Sequence, residues 1–261
     1  MKEQIKSEGK CFFCGKTFTM AGINRHLAAH LQEKAASGAP GKSFLLKVET
    51  TKRWGATPYF LSLWMDGETK MQELDSFLRK IWLECCRHRS EFRIEKEAKE
   101  KKAFRIEQTK LLQEEKFEES FQALNSFYDT EIFMNDEAKL VLHKGFEFIY
   151  TYDFRNTTSL IISVTQEYAV KADSSIVLLS RNEPLRIICC ECGKIPATKL
   201  CPICVRRKEA CFCDQCAKEH AKKCDDFDDA GLPIVNSPRM GICGYTGGTI
   251  DKERDGCFMM V

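Results

Sequence analysis

The sequence predicts an α+β protein whose two ends are organised by metal. Three observations carry that prediction. Strand-like runs and one amphipathic helix fill the middle of the chain. A pair of cysteines and a pair of histidines open it, and four closely spaced Cys/His pairs crowd residues 189–224.

The 261 residues suffice for one or two domains. A formal net charge of +2 gives no whole-chain field that would draw the protein to nucleic acid or membrane. The polar start, MKEQIKSEGK, lacks the apolar core of a signal peptide. Apolar runs such as 176–179 fall far short of the ~20 residues that span a bilayer. The expectation is a soluble cytoplasmic protein. Its fifteen cysteines come largely as Cys-x2-Cys pairs with histidines at ligand spacing. In a reducing compartment that pattern favours metal over disulfides.

Along the chain, residues 1–34 hold the first two cysteines and two histidines. Residues 35–43 (AASGAPGKS) are small and rich in Gly, Pro and Ser, which predicts a flexible linker. A central domain over 44–188 follows. Strands are expected at 44–49 and 59–65 around a turn at residues 54–58 (WGATP). Leu74, Phe77, Leu78, Ile81 and Trp82 recur every three or four residues, the spacing of an amphipathic helix. Residues 91–119 carry nine Glu against eight Lys and Arg, and Phe117, Phe121, Leu124 and Tyr128 prolong the helical stripe. Residues 91–128 therefore read as a charged helical insertion, either a solvated helix or an arm that contacts a partner. Strands return at 146–152, 159–170 and 176–179. A cysteine-rich module occupies 189–225, and residues 226–261 form an irregular tail.

At the N-terminal end, Cys11-x2-Cys14 and His26-x3-His30 are separated by eleven residues. Two thiolates on a hairpin knuckle and two imidazoles one helical turn apart can close a tetrahedron round Zn²⁺. Phe18 and Ile23 sit where a small ββα unit needs its core, with Leu27 following on the helix. The set resembles the zinc finger built from two cysteines and two histidines, with a spacer one residue shorter than usual. In such fingers three positions read bases. Counted back from His26, they fall on Thr19, Gly22 and Arg25. Arg25 alone has the reach for a bidentate guanine contact. Residues 1–42 carry seven basic and three acidic side chains. Arg25, Thr19 and Lys16 are therefore the candidate nucleic-acid contacts.

At the other end, Cys189-x2-Cys192, Cys201-x2-Cys204, Cys213-x2-Cys216 and His220-x3-Cys224 supply eight ligands, enough for two tetrahedral zincs. They resemble the HIT and MYND group of interleaved, treble-clef-like zinc modules. That resemblance implies that the first and third pairs share one ion and the second and fourth the other. Cys190 and Cys211 offer alternative ligands beside the expected ones. Nine cysteines and three histidines fill three zincs with no open position, whereas a catalytic zinc keeps one for water.

The central stretch resembles the Ri-plasmid ORF-three-like family, also called insertion-sequence passenger TnpR-like. The residues that carry the likeness are Leu74-Asp-x-Phe77-Leu-Arg-x-Ile81-Trp-Leu-Glu-Cys-Cys86-x-His88-x-Ser90-x-Phe92, then Phe148-x-Tyr150-x-Tyr152-Asp-Phe154, then Leu179-x-Arg181-Asn182-x-Pro184. The tail stretch Asn236-Ser-Pro-Arg-Met-Gly-x-Cys-Gly-Tyr245 shares it. Arg87 and Arg89 stand where Gly and Leu are usual. The resemblance implies a helix packed on a mixed β-sheet and says little about activity.

Cys85, Cys86 and His88 invite three readings: a packed helix end, a nucleophile working with His88 and Asp153, or a fourth metal site completed by a distant ligand such as His143. The stretch 241–248 (GICGYTGG) lacks the ending of a phosphate loop and reads as a turn packed on the zinc module. The expectation is a non-enzymatic protein holding three Zn²⁺. It would act as a nucleic-acid-binding or regulatory adaptor associated with mobile genetic elements, with no small-molecule substrate. The alternatives are a protein-interaction scaffold with structural zincs, or an enzyme near Cys86, His88 and Asp153.

Overall fold

The computed structural model describes residues 7–50, 59–94, 98–128, 131–206 and 210–258. A short hairpin of β1 (Glu8–Lys10) and β2 (Thr17–Thr19) leads into α1 (Ile23–Ala35). β3 (Pro40–Thr50), β4 (Phe60–Asp66) and α2 (Met71–Leu78) follow, and α2 runs into a π-helical turn, Arg79–Leu83. Next come β5 (Ser90–Arg93), α3 (Ala98–Gln113), α4 (Phe117–Tyr128), β6 (Glu131–Ile132), α5 (Ala138–Val141), β7 (Glu147–Tyr152), β8 (Thr158–Val170) and β9 (Ile176–Arg181). The C-terminal part holds β10 (Lys199–Leu200), β11 (Cys211–Phe212), α6 (Asp214–Ala221), α7 (Phe227–Ala230) and β12 (Leu232–Pro233).

The main sheet has seven strands in the order β6-β5-β7-β8-β3-β4-β9. Every pairing in it is antiparallel, so the mixed sheet implied by the family resemblance is corrected. Parallel neighbours need a crossover between them, and α2 instead carries the chain from β4 to β5, far across the sheet. The turn expected at 54–58 lies outside the described residues.

Alternation along β3 and β4 explains why both read as almost continuously apolar: each face of the sheet is covered. Phe44, Leu46, Val48, Leu61, Leu63 and Met65 face α2 and its π turn, packing on Met71, Leu74, Leu78, Ile81 and Trp82. Leu45, Phe60 and Trp64 face the other way and meet Ile23, Leu27 and Leu31 of α1. The N-terminal unit is thus docked on the sheet. Ser62 donates a hydrogen bond to Asn24 at 2.8 Å, and the Phe12 N–H donates to the Leu179 carbonyl at 3.0 Å. Gly9 lies so close to the sheet that an added Cβ would sit 2.6 Å from the Phe60 ring. The stretch 35–43, expected as a linker, contains the last residue of α1 and the start of β3. Its glycines serve close packing: a Cβ on Gly38 would collide with Val170.

The charged insertion is divided. Residues 90–93 pair into the sheet as β5, and α3 and α4 form a helical hairpin that turns at Glu115, whose φ is +59°. Gln108 and Ser120 clasp the hairpin, the Ser120 hydroxyl donating to Gln108 Oε1 at 2.6 Å. Ile106 (64%), Phe117 (64%) and Phe121 (62%) remain exposed on it.

The tail is ordered by burial. Two fully buried arginines anchor it. Arg181 of β9 donates to Asp255 Oδ1 and the Asn236 carbonyl, both at 2.6 Å. Arg239 of the tail donates to Asp153, to the Asn156 carbonyl and to Thr158 at the start of β8. Ser237 donates to the Trp82 carbonyl at 2.6 Å. The sequence there lacks periodicity because polar contacts, rather than an apolar stripe, fix its path.

Truncating Leu27 to Ala removes the centre of the α1–sheet contact and should cost about 2–5 kcal/mol. Thermal unfolding followed by tryptophan fluorescence should shift to lower temperature, since Trp64 shares that contact. An unchanged transition would mean the N-terminal unit is not docked.

Candidate metal centres

Four groups of Cys and His converge among the described residues, and within each group all four donor atoms lie within 4.8 Å of one another. Zinc–ligand bonds of about 2.0–2.3 Å put tetrahedral donor atoms about 3.3–3.8 Å apart, so the sets have the right size for such an ion.

The first group is Cys11, Cys14, His26 and His30. Both cysteines sit on the turn between β1 and β2. The Gly15 N–H donates to the Cys11 carbonyl at 2.8 Å, and Gly15 adopts φ +72°, a conformation glycine takes without penalty. His26 and His30 are one turn apart on α1, their Nε2 atoms separated by 3.1 Å, and Cys14 Sγ is 3.2 Å from His26 Nε2. Phe18 stacks on the His26 ring at 4.0 Å and holds its orientation.

The C-terminal pairs meet in interleaved order. Cys189 and Cys192 join Cys213 and Cys216 at the start of α6; Cys201 and Cys204 join His220, near the end of α6, and Cys224. Cys192 and Cys213 are 4.0 Å apart, as are Cys201 and Cys224. Phe212 stacks on His220 at 4.3 Å, and Phe227 meets the same ring edge-on. The apolar core beneath is small, built round Cys201, Ala210, Phe212, Ala217 and Phe227. A unit over 189–225 is near the ~40 residues below which a core alone rarely sustains a fold.

Crowding is visible in the thiol acidities. Burial and the adjacent Cys204 and Cys201 push Cys224 up to about 11. Cys213, then burial and Cys189, push Cys216 up to about 12. Each thiolate resists a second beside it, and a dication at the centre reverses that preference.

The fourth group is Cys85, Cys86, His88 and Cys243. His143, weighed as the distant partner, is elsewhere, an exposed ring beside Lys144 and Phe146. Cys243 takes the place instead, brought across from the tail, 157 residues beyond Cys86. No local spacing announces it, because long-range contacts such as those of Arg239 with Asp153 and of Ser237 with the Trp82 carbonyl bring the tail to this point. Cys86 Sγ and Asp153 Oδ2 both address the same nitrogen of His88, Nε2, at 3.0 and 3.4 Å. A nucleophile–base–acid relay needs the two on opposite ring nitrogens. The Asp153 carboxylate is moreover held by Arg239. Stretch 241–248 touches the cysteine-rich module at one end and the π turn at the other: an added Cβ would sit 2.9 Å from Leu200 at Gly241 and 2.5 Å from the Ile81 carbonyl oxygen at Gly248.

Cys190 and Cys211, the alternative ligands, belong to none of the four groups; Cys211 and Cys257 pack against Ala197, Leu200 and Ile234. Lys16, Thr19 and Arg25 are exposed. Because α1 begins at Ile23, Thr19 precedes the helix and Gly22 is its N-cap, leaving Arg25 as the one basic side chain in its first turn. No helix among the described residues is long and apolar enough to cross a membrane.

No family model and no curated protein matches the chain. A solved structure, a protein of unknown function, MM3350, from Methanosarcina mazei Go1, is similar at 12% identity and a TM-score of 0.34. The match covers 72% of this chain and 86% of that one. A likeness that weak carries no argument about fold or function.

Removing metal should act locally and strongly at the C-terminal module. On adding a chelator, the amides of Cys201 and Ala217, both hydrogen-bonded within the module, should lose protection from hydrogen exchange while those of β3 and β8 keep theirs. Retained protection across 189–224 would mean the module folds without metal.

Proposed function

We propose that this is a non-enzymatic, zinc-stapled adaptor of a reducing compartment, the cytoplasm, that binds a protein partner. Zinc is the ion that the donor chemistry favours, since thiolates and imidazoles in tetrahedral sets select it over magnesium or calcium. Three ions occupy the N-terminal group and the two C-terminal groups, in a zinc finger at residues 8–35 and a treble-clef-like module at 189–225. The observation that carries the reading is the closed donor set: each of these groups already supplies four protein ligands. A closed set supports a structural role and leaves no position for a reacting water.

The adaptor surface is the α3–α4 hairpin. Phe117 and Phe121 lie one helical turn apart and both are exposed, as expected of an anchor pair for a partner's groove. Cross-linking mass spectrometry of the native protein in its own cell extract should place cross-links on 98–128. A Phe117→Asp, Phe121→Asp double variant should lose them with an unchanged melting temperature. Cross-links that survive the variant would overturn the adaptor surface.

A second reading, nucleic-acid binding, is favoured by the exposure of Lys16, Thr19 and Arg25 on the outer side of the finger. It predicts a gel shift of duplex DNA or single-stranded RNA that weakens steeply with salt and with Arg25→Ala. The absence of any shift at low salt would sink it. The likeness to the Ri-plasmid ORF-three-like family, and with it a regulatory role on mobile DNA, rests on the shared motif residues alone.

A further inference from the structure

Cys85, Cys86, His88 and Cys243 remain outside the three staples. We infer that they bind a fourth zinc ion, in a three-cysteine, one-histidine site that clasps the C-terminal tail to the end of the α2 π turn. The inference rests on the reading of Cys/His tetrahedra as zinc sites, and extends it to a set whose fourth ligand, Cys243, no sequence spacing reveals.

The donor separations carry it. Cys86 Sγ is 3.0 Å from His88 Nε2 and 3.5 Å from Cys243 Sγ, His88 Nε2 is 3.3 Å from Cys243 Sγ, and Cys85 Sγ is 3.9 Å from Cys86 Sγ. These are close to the ~3.3–3.8 Å edges of a zinc tetrahedron. Three thiols and one imidazole nitrogen thus point at one centre.

The backbone is bent to achieve this. Arg87, between two ligands, adopts φ +62°, and Cys243, a ligand itself, adopts φ +52°. Left-handed backbone at a residue other than glycine is uncommon and gathers at functional sites. The surrounding contacts hold the bend: the Arg87 N–H donates to Glu84, and Arg79 donates to the His88 carbonyl at 2.8 Å.

Neighbouring donors meet part of the charge, although Arg239 is shared with Asp153. Three thiolates and a dication leave one net negative charge. The buried Arg239 guanidinium lies 3.6 Å from Cys85 Sγ, and the Tyr152 hydroxyl lies 3.8 Å from the same sulfur. Such outer donors orient and stabilise metal-bound thiolates.

Two other uses of these residues fit less well. A catalytic cysteine–histidine–aspartate relay is opposed by the shared Nε2 described above. A disulfide between Cys86 and Cys243 would leave Cys85 and His88 aimed at a centre with nothing in it.

Zinc per chain, measured by native mass spectrometry on the full-length protein purified under reducing conditions, should be four in the wild type and three in Cys243→Ser. Because that variant could also loosen the tail, thiol alkylation of the unmodified wild type, read peptide by peptide, supplies a second test. Cys85, Cys86 and Cys243 should resist labelling in the native protein and label once chelator is added. Cys86 and Cys243 are exposed, so they should label at lower chelator concentration than Cys189 or Cys201. Immediate labelling of these three while the other clusters stay protected overturns the fourth site alone. Immediate labelling of every cluster overturns the zinc reading as a whole. A Cys86–Cys243 disulfide, or three zincs in both proteins, also overturns the fourth site.

Discussion

Four thiol or imidazole donors held within 4.8 Å of one another repel as thiolates and pack poorly as thiols, and a divalent cation at their centre relieves both problems. That constraint recurs four times among the described residues, and the arrangement of the parts around them follows from it. In small zinc modules the metal contributes about 10–16 kcal/mol at neutral pH, comparable with the whole stability of a domain. The hairpin of the N-terminal unit and the short strands of the C-terminal module could not be expected to persist on their apolar contacts alone. The seven-stranded sheet, with apolar layers on both faces, has no such need.

The sheet and the metal sets depend on each other in different ways at the two ends. At the N-terminus the proposed zinc would fix α1, whose apolar stripe packs on Leu45, Phe60 and Trp64. The unit becomes a cover for the sheet, with only its outer side open to solvent. At the C-terminus the module packs its own small core, and the tail beyond it returns to the body through two buried arginines. Arg239 is the hinge of that return. It neutralises Asp153 and approaches Cys85, so one side chain links the turn after β7, the cysteine knuckle and the tail. Removing one partner of a buried charge pair costs about 3–5 kcal/mol because the other charge is stranded, so this link is hard to vary.

Much of this was legible in the sequence wherever the signal was local. The Cys-x2-Cys and His-x3-His spacings pointed to residues that do converge, because a knuckle and one helical turn are short-range geometry. The strands at 44–49, 59–65, 146–152 and 159–170 were legible from their apolar and β-branched content. Long-range facts were not. Nothing in residues 35–43 reveals that they pack against β8, because glycines chosen for close contact look the same as glycines chosen for flexibility. The antiparallel order of the sheet depends on where α2 delivers the chain. Cys243 belongs to no local pair, because its partners are 155 residues or more upstream, beyond the reach of any spacing rule.

The proposed zinc ions sit in closed shells of protein ligands. Zinc X-ray absorption on the purified full-length protein tests this most directly. The expected result is four-coordinate zinc with, on average, about three sulfurs at ~2.3 Å and one imidazole nitrogen at ~2.0 Å. That average holds whether three or four of the sets are filled, because both choices give the same ratio of thiols to imidazoles. An oxygen-rich shell, or a coordination number of five or six, would contradict it.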